Sequence, residues 1–318
     1  MTRILPKVLK AGDKLGMIGP SGSFRDDSLV DKSAAALEAL DFTVVVGDSC
    51  RHKYGYLASP DELRASDINA FFADSSIDGI ICMKGGYRTP RILDKLDYGL
   101  IRANPKVFAG YSDITGLHLA FARHARFPSF HSPMGISLAD EAFDSFSMAA
   151  FKRCLMSREP LGRLEPPTRP DRKPGQAPKT LVPGKASGRL TGGNLSLVAA
   201  LEGTAYSLEP EGAIVFLEDV NEEPYRIDRM LTQLRLAGVF ERCKGIILGD
   251  FKDCLAEDPG RSLTLEQIFM DVIAPPGKPC LYGFAAGHSL PTHSLPFGVE
   301  AMLDSELGLI EITEPALS

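Results

Sequence analysis

The chain has 318 residues, of which 44% are hydrophobic and 24% charged, with a formal net charge of -6 at pH 7. That length suits two domains, and the composition is ordinary for a globular protein. A mildly acidic chain lacks the basic footprint of a nucleic-acid binder and the cationic surface that anionic membranes attract.

No apolar stretch approaches bilayer-spanning length, and Met1 to Lys7 has neither the apolar core nor the cleavage site of a secretory signal. Cysteines stand at 50, 82, 154, 243, 254 and 280 with no C-x-x-C pair, which points to neither a zinc site nor a disulfide framework. Reduced thiols in a cytoplasmic protein are expected.

The first half alternates strand and helix signals. Lys14 to Gly19 reads as a strand ending in the turn Pro20-Ser21-Gly22, and Leu29 to Leu40 has helical spacing. Thr43 to Val46 is the next strand. Asp61 to Ala73 is helical, with Ser59 expected as its cap and Pro60 at the first helical position. Ile77 to Met83 is a strand running into Lys84-Gly85-Gly86-Tyr87, and a helix begins near Arg91. Val107 to Gly110 is a further strand, followed by a turn at Ser112 and a segment with helical spacing. Such alternation implies right-handed βαβ units and a mainly parallel sheet, whose ligands bind beyond the carboxyl ends of the strands.

From about 158 to 185 the chain is dense in Pro, Arg, Lys and Gly, which neither a helix nor a central strand tolerates. An extended linker is expected there, between an N-terminal domain over 1–157 and a C-terminal one over 186–318. In the latter, Leu195 to Leu201 and Pro224 to Ala237 are helical; Ala213 to Glu218, Gly245 to Gly249, Pro279 to Gly283 and Glu300 to Asp304 are strands. This is a smaller, mixed α/β domain.

Ser112 lies at a strand-to-helix turn, where a hydroxyl can be lifted clear of the backbone near a helix N-terminus. That is a place for a nucleophile, but Ser112 or Asp113 can equally cap the helix. A nucleophilic serine needs a base. Of six histidines, His288 stands apart, in a loop after a strand among Gly287 and small residues that let another group approach the ring closely. His131 is placed to line a cleft. His288 and His293 could instead share a metal ion, but no third ligand has suitable spacing. The carboxylate that orients the base is Glu218 or Asp219, at the end of an apolar strand; Asp219 has a competing use as an ion-pair partner of Arg226 or Arg229. Gly85-Gly86 allows backbone to approach a substrate, and the Asp113 amide is a second candidate donor to an oxyanion.

Several segments together resemble the LD-carboxypeptidases, the serine peptidase group that includes the microcin-C immunity peptidases. They are Lys84-Gly85-Gly86-Tyr87, Gly110-Tyr111-Ser112-Asp113, Thr191-Gly192-Gly193-Asn194-Leu195, Leu217-Glu218-Asp219-Val220 with Pro224-Tyr225-Arg226-Ile227-Asp228-Arg229-Met230-Leu231, and Gly287-His288. The resemblance implies a triad of Ser112, Glu218 and His288, with oxyanion donors at Gly86 and Asp113. It implies a flavodoxin-like, or class I glutamine amidotransferase-like, parallel-sheet domain, a β-rich C-terminal domain, a site between the two, and a homodimer. The family often has Arg where this chain has Lys84 and Gly where it has Arg88. These two cations are candidates for a substrate carboxylate. The substrate so implied is murein tetrapeptide, cut to release its terminal D-alanine during wall recycling, without metal or cofactor. Alternatives are a peptidase acting on aminoacyl- or peptidyl-nucleotides, and a non-catalytic binding module on the same fold.

Overall fold

The strands Lys14–Ile18 (β1), Thr43–Val46 (β2), Gly79–Cys82 (β3), Val107–Gly110 (β4) and Ser129–His131 (β5) form in the computed structural model, which describes residues 4–167 and 178–318. The chain divides into two compact units, one of Met1–Glu159, Ser294–Gly298 and Pro315–Ser318, the other of Pro160–His293 and Val299–Glu314.

In the first unit the strands lie parallel in the order β5-β4-β3-β1-β2, with an antiparallel edge strand, Leu295–Phe297, beside β5. This is the flavodoxin-like order. Central strands covered on both faces need apolar side chains throughout, and β3 and β4 are buried at every position. β2, at the edge, is buried at none of its four. Helix Ser28–Glu38 turns Val30, Ser33, Ala34 and Leu37 inward, the spacing of a single helical face. Helix Asp61–Ala73 departs from expectation at its start. Pro60 is the cap residue and makes no side-chain cap bond, while the Ser59 hydroxyl turns to the Pro60 carbonyl at 3.5 Å.

The strand order reverses between β1 and β3, the place where a crevice opens at the carboxyl ends of a doubly wound sheet. The loops after these two strands meet there: the Gly22 amide donates to the Gly85 carbonyl at 3.4 Å.

The second unit holds a mixed sheet of Gly162–Arg163 (β6), Lys179–Val182 (β7), Lys185–Asn194 (β8), Ala213–Val220 (β9), Gly245–Lys252 (β10) and Cys280–Tyr282 (β11). Past the Leu295–Phe297 strand (β12), it is completed by Glu300–Asp304 (β13) and Leu309–Ile312 (β14). The order is β6-β14-β13-β8-β9-β10-β11-β7, with β8 to β11 parallel and the flanks antiparallel. Two short stretches of the proline-rich segment, β6 and β7, thus pair as edge strands rather than forming a linker throughout; both sit at sheet edges, where a neighbouring proline costs no ladder bond. The rest of that expectation, over 168–177, lies outside the described residues. Residues 294–298 and 315–318, expected in the C-terminal domain, belong to the first unit because β12 pairs with β5 and Ser318 bonds back to Pro6 and Val8.

All six cysteines are buried and free of disulfides. No helix among the described residues is long and apolar enough to cross a membrane.

Candidate active site

Ser112 follows β4 by two residues and has φ +65°, the left-handed region that side chains with a Cβ rarely occupy. Such strain at a strand-to-helix turn presents a side chain outward, as a nucleophile elbow does. The capping alternative does not hold. The cap residue of the short 3-10 turn Ser112–Ile114 is Tyr111, with no side-chain cap bond. The Asp113 carboxylate is committed elsewhere: it accepts from Ser21 Oγ at 2.5 Å and the Thr89 amide at 2.9 Å, while its carbonyl accepts from Thr89 Oγ1 at 2.5 Å. Burial raises the Asp113 pKa, against the pull of these bonds.

Gly85 packs directly on Ser112. A Cβ there would lie 2.9 Å from the serine Cβ and 3.0 Å from its Oγ. Gly86 has φ +143°, and a Cβ on it would lie 2.8 Å from the Gly22 backbone. Only glycine brings this turn so close. Among the described residues the amides of Gly86 and Asp113 donate to no protein acceptor. Free N–H groups beside a presented hydroxyl are what an oxyanion requires.

The turn is braced from below by residues that sequence reasoning missed. Arg64, fully buried, donates to the Pro20 carbonyl at 2.6 Å, the Arg88 carbonyl at 3.4 Å and Asp61 Oδ1 at 2.5 Å. Nothing in a helical pattern distinguishes this arginine from a solvated one. His118, also buried, has Nε2 2.8 Å from the Gly110 carbonyl and Nδ1 2.8 Å from Ser129 Oγ. A carbonyl only accepts, so Nε2 carries the proton and Nδ1 accepts from the serine. This ties the end of β4 to β5.

Of the two cations expected near the turn, Lys84 is half-buried. Its ammonium donates to the Ser23 carbonyl at 3.2 Å and lies 5.1 Å from the Phe24 ring centroid, and burial lowers its pKa. Arg88 is exposed, with φ +77°. His131 is buried at the end of β5, with its ring centroid 5.9 Å from that of Tyr111 and 5.5 Å from that of Phe297.

In the second unit, Glu218 is fully buried near the end of β9, and its Oε2 lies 2.6 Å from His288 Nδ1. Gly287 makes this approach possible: it has φ +130°, and a Cβ there would lie 2.8 Å from the same Oε2. Burial raises the Glu218 pKa, opposed by the imidazole's charge and hydrogen bond. Burial also works against the charged ring of His288, but the charge and hydrogen bond of Glu218 outweigh it and its pKa is raised. A buried carboxylate on Nδ1 fixes the ring and favours a proton arriving at Nε2.

Asp219, the other candidate, points to the opposite face of the strand. It accepts from Asn194 Nδ2 at 2.9 Å and from the Ser196 amide and hydroxyl at 3.0 and 2.8 Å, not from the arginines considered for it. His293 stacks on Phe284 with ring centroids 5.1 Å apart, and its Nε2 lies 3.0 Å from the Glu165 carbonyl. No cluster of three His, Cys, Asp or Glu able to hold a metal ion occurs among the described residues.

Residues 15–132 match the model of the LD-carboxypeptidase N-terminal domain, and residues 187–303 that of the C-terminal domain. The chain is 37% identical to a probable murein peptide carboxypeptidase of Bacillus subtilis over 303 residues, covering 94% of this chain and 91% of that protein. It is similar in structure to MccF in complex with glutamyl sulfamoyl guanosine, with a TM-score of 0.90, 25% identity and 99% of each chain covered. It is also similar to the muramoyltetrapeptide carboxypeptidase of Oxalobacter formigenes, with a TM-score of 0.80, 26% identity, and 95% of this chain and 99% of that one covered. The chain belongs to the LD-carboxypeptidase family of serine peptidases.

Proposed function

We propose that the protein hydrolyses the amide bond that releases the terminal D-alanine from murein tetrapeptide, as a cytoplasmic, homodimeric enzyme of wall recycling. The observation that carries this reading is Ser112, held in a left-handed turn against Gly85 and beside two unengaged amides. In this reading Ser112, Glu218 and His288 work as nucleophile, orienting acid and base. His288 takes the Ser112 proton as Oγ attacks the carbonyl. The amides of Gly86 and Asp113 receive the oxyanion. His288 then gives the proton to the departing D-alanine nitrogen as the C–N bond breaks. Water, deprotonated by the same ring, adds to the acyl-enzyme; the ring then returns that proton to Ser112 Oγ as the ester C–O bond breaks, freeing the serine and the shortened peptide.

Mass spectrometry of tetrapeptide digests tests this. The wild type releases D-alanine, and Ser112→Ala is slower by about five to six powers of ten. No release by the wild type would sink the reading.

A second reading is cleavage of an aminoacyl-nucleotide. It is favoured by the likeness to MccF and by exposed Tyr56 and Tyr87, whose rings meet edge to face 6.1 Å apart next to Gly86 and could stack a base. Turnover of an aspartyl-adenylate analogue in preference to tetrapeptide would select it.

A further inference from the structure

A carboxypeptidase must recognise a free carboxylate, and the chemistry says where. In the departing amino acid, the carboxylate carbon is only about 2.5 Å from the nitrogen, since both are bonded to one Cα. In the proposed reaction that nitrogen takes its proton from His288. The cation that holds the carboxylate must therefore lie within the reach of His288.

The second unit has a cavity of about 680 Å³ in that neighbourhood, at the carboxyl ends of its parallel strands. Ser289, next to His288, lines it, as do Phe251, Lys252 and Tyr282. β10 slips register against β9 between Leu248 and Phe251. Within that bulge the Asp250 amide grips the Ala286 carbonyl at 2.9 Å, in the loop that carries His288. The strand then resumes, with Lys252 opposite Val220, two residues past Glu218. Bulges of this kind re-aim a side chain at the rim of a site.

Two lysines line the cavity. Lys179 is already paired with Glu266 Oε2 at 2.9 Å. The Lys252 ammonium makes no ion pair or side-chain hydrogen bond among the described residues, and its charge opposes protonation of His288, so the two groups feel one another. Phe251 and Tyr282, with ring centroids 6.5 Å apart, add an aromatic wall suited to a small apolar side chain such as a methyl.

We infer that this cavity receives the departing C-terminal residue of the peptide, with Lys252 as the cation for its carboxylate. The inference deepens the proposed function and rests on it for the identity of the peptide. Lys252, rather than Lys84 or Arg88, is then the group that makes the enzyme an exopeptidase.

The test compares tetrapeptide with the same peptide carrying a C-terminal carboxamide. Lys252→Ala should raise KM for the acid about tenfold or more while kcat changes little, because a charge-assisted contact made equally in ground and transition states is lost. The wild type should show a similar loss on the amide, Lys252→Ala no further loss on it, and Lys252→Arg partial recovery on the acid. The acid limb of the Lys252→Ala pH profile should move to higher pH, since a charge that opposes protonation of His288 is gone. Calorimetric titration of both peptides into Ser112→Ala, with and without Lys252→Ala, reads the same preference without turnover, so it decides the matter even if the wild type releases no D-alanine. Equal acid and amide binding in Ser112→Ala, or equal losses on both peptides in Lys252→Ala, overturns the inference. So does a loss of acid preference in Arg88→Ala that Lys252→Ala does not reproduce.

Discussion

Glu218 and His288 share a 2.6 Å hydrogen bond between Oε2 and Nδ1, with the carboxylate wholly buried. In the proposed mechanism this pair sets the pH range of the enzyme. Burial disfavours the imidazolium, but Glu218 outweighs it and raises the His288 pKa above the ordinary value of about 6.5. A base works only when neutral, so kcat/KM should fall as pH drops through that raised pKa. In Glu218→Gln the charge is gone and the burial penalty remains. The acid limb should move to lower pH, and kcat should fall by about two to four powers of ten. A pH–rate profile of the variant checks both; an unmoved limb would mean that Glu218 does not govern His288.

Gly287 is the residue that lets this pair form. Gly287→Ala meets both backbone strain at φ +130° and the Glu218 carboxylate at 2.8 Å. It should cost about 1–3 kcal/mol in urea unfolding and also lower kcat. Gly277→Ala is the control, because φ is +68° there but nothing lies within 4 Å of the added methyl. It should lose stability and keep kcat. Equal kcat in the two variants would dissociate the glycine from the pair.

Arg64 should matter to stability and turnover together. Arg64→Met strips the Pro20 and Arg88 carbonyls of a buried donor. Asp61 keeps Arg91 at 2.8 Å, so the loss should fall at the low end for a broken buried pair, about 3 kcal/mol. Denaturant unfolding gives the first quantity. A parallel fall in kcat/KM would show that the brace holds the Gly85-Gly86 turn in working geometry.

His118 should make the first unit acid-sensitive. Burial pushes its pKa down to about 4, whereas in the unfolded chain it titrates near 6.5. The unfolded state therefore binds the extra proton first. The stabilisation is complete above pH 6.5 and is lost as pH falls toward 4, by on the order of 3 kcal/mol at most. His118→Gln should flatten the change in unfolding midpoint between pH 7 and pH 4.5. A slope equal to that of the wild type would assign the acid sensitivity to other groups.

The sequence by itself determined the alternation of strands and helices in the first half and the apolar parallel strands β1 to β4 and β9 to β11, because strands covered on both faces must be apolar throughout. It left unmarked the short Ser129–His131 and the polar, alternating Lys185–Asn194, which become strands through pairing with distant segments. It also marked Ser112, His288, the paired glycines and the Glu218-Asp219 pair, by their places at turns and strand ends and by the motifs shared with the family. Short edge strands such as Gly162–Arg163 and Leu295–Phe297 left no such trace, since their pairing comes from distant segments rather than from their own pattern. Only the tertiary structure decided between Glu218 and Asp219 as the partner of His288, because two adjacent strand residues face opposite ways and the sheet alone says which way the His288 loop lies. It likewise showed which cations are already engaged: Lys84 is held by Ser23 and Phe24, and Lys179 by Glu266, whereas the side chains of Arg88 and of Lys252, on the cavity wall, make no ion pair among the described residues. A charge is available to a ligand only if folding has not already given it a partner, and that outcome is written in no single segment of the chain.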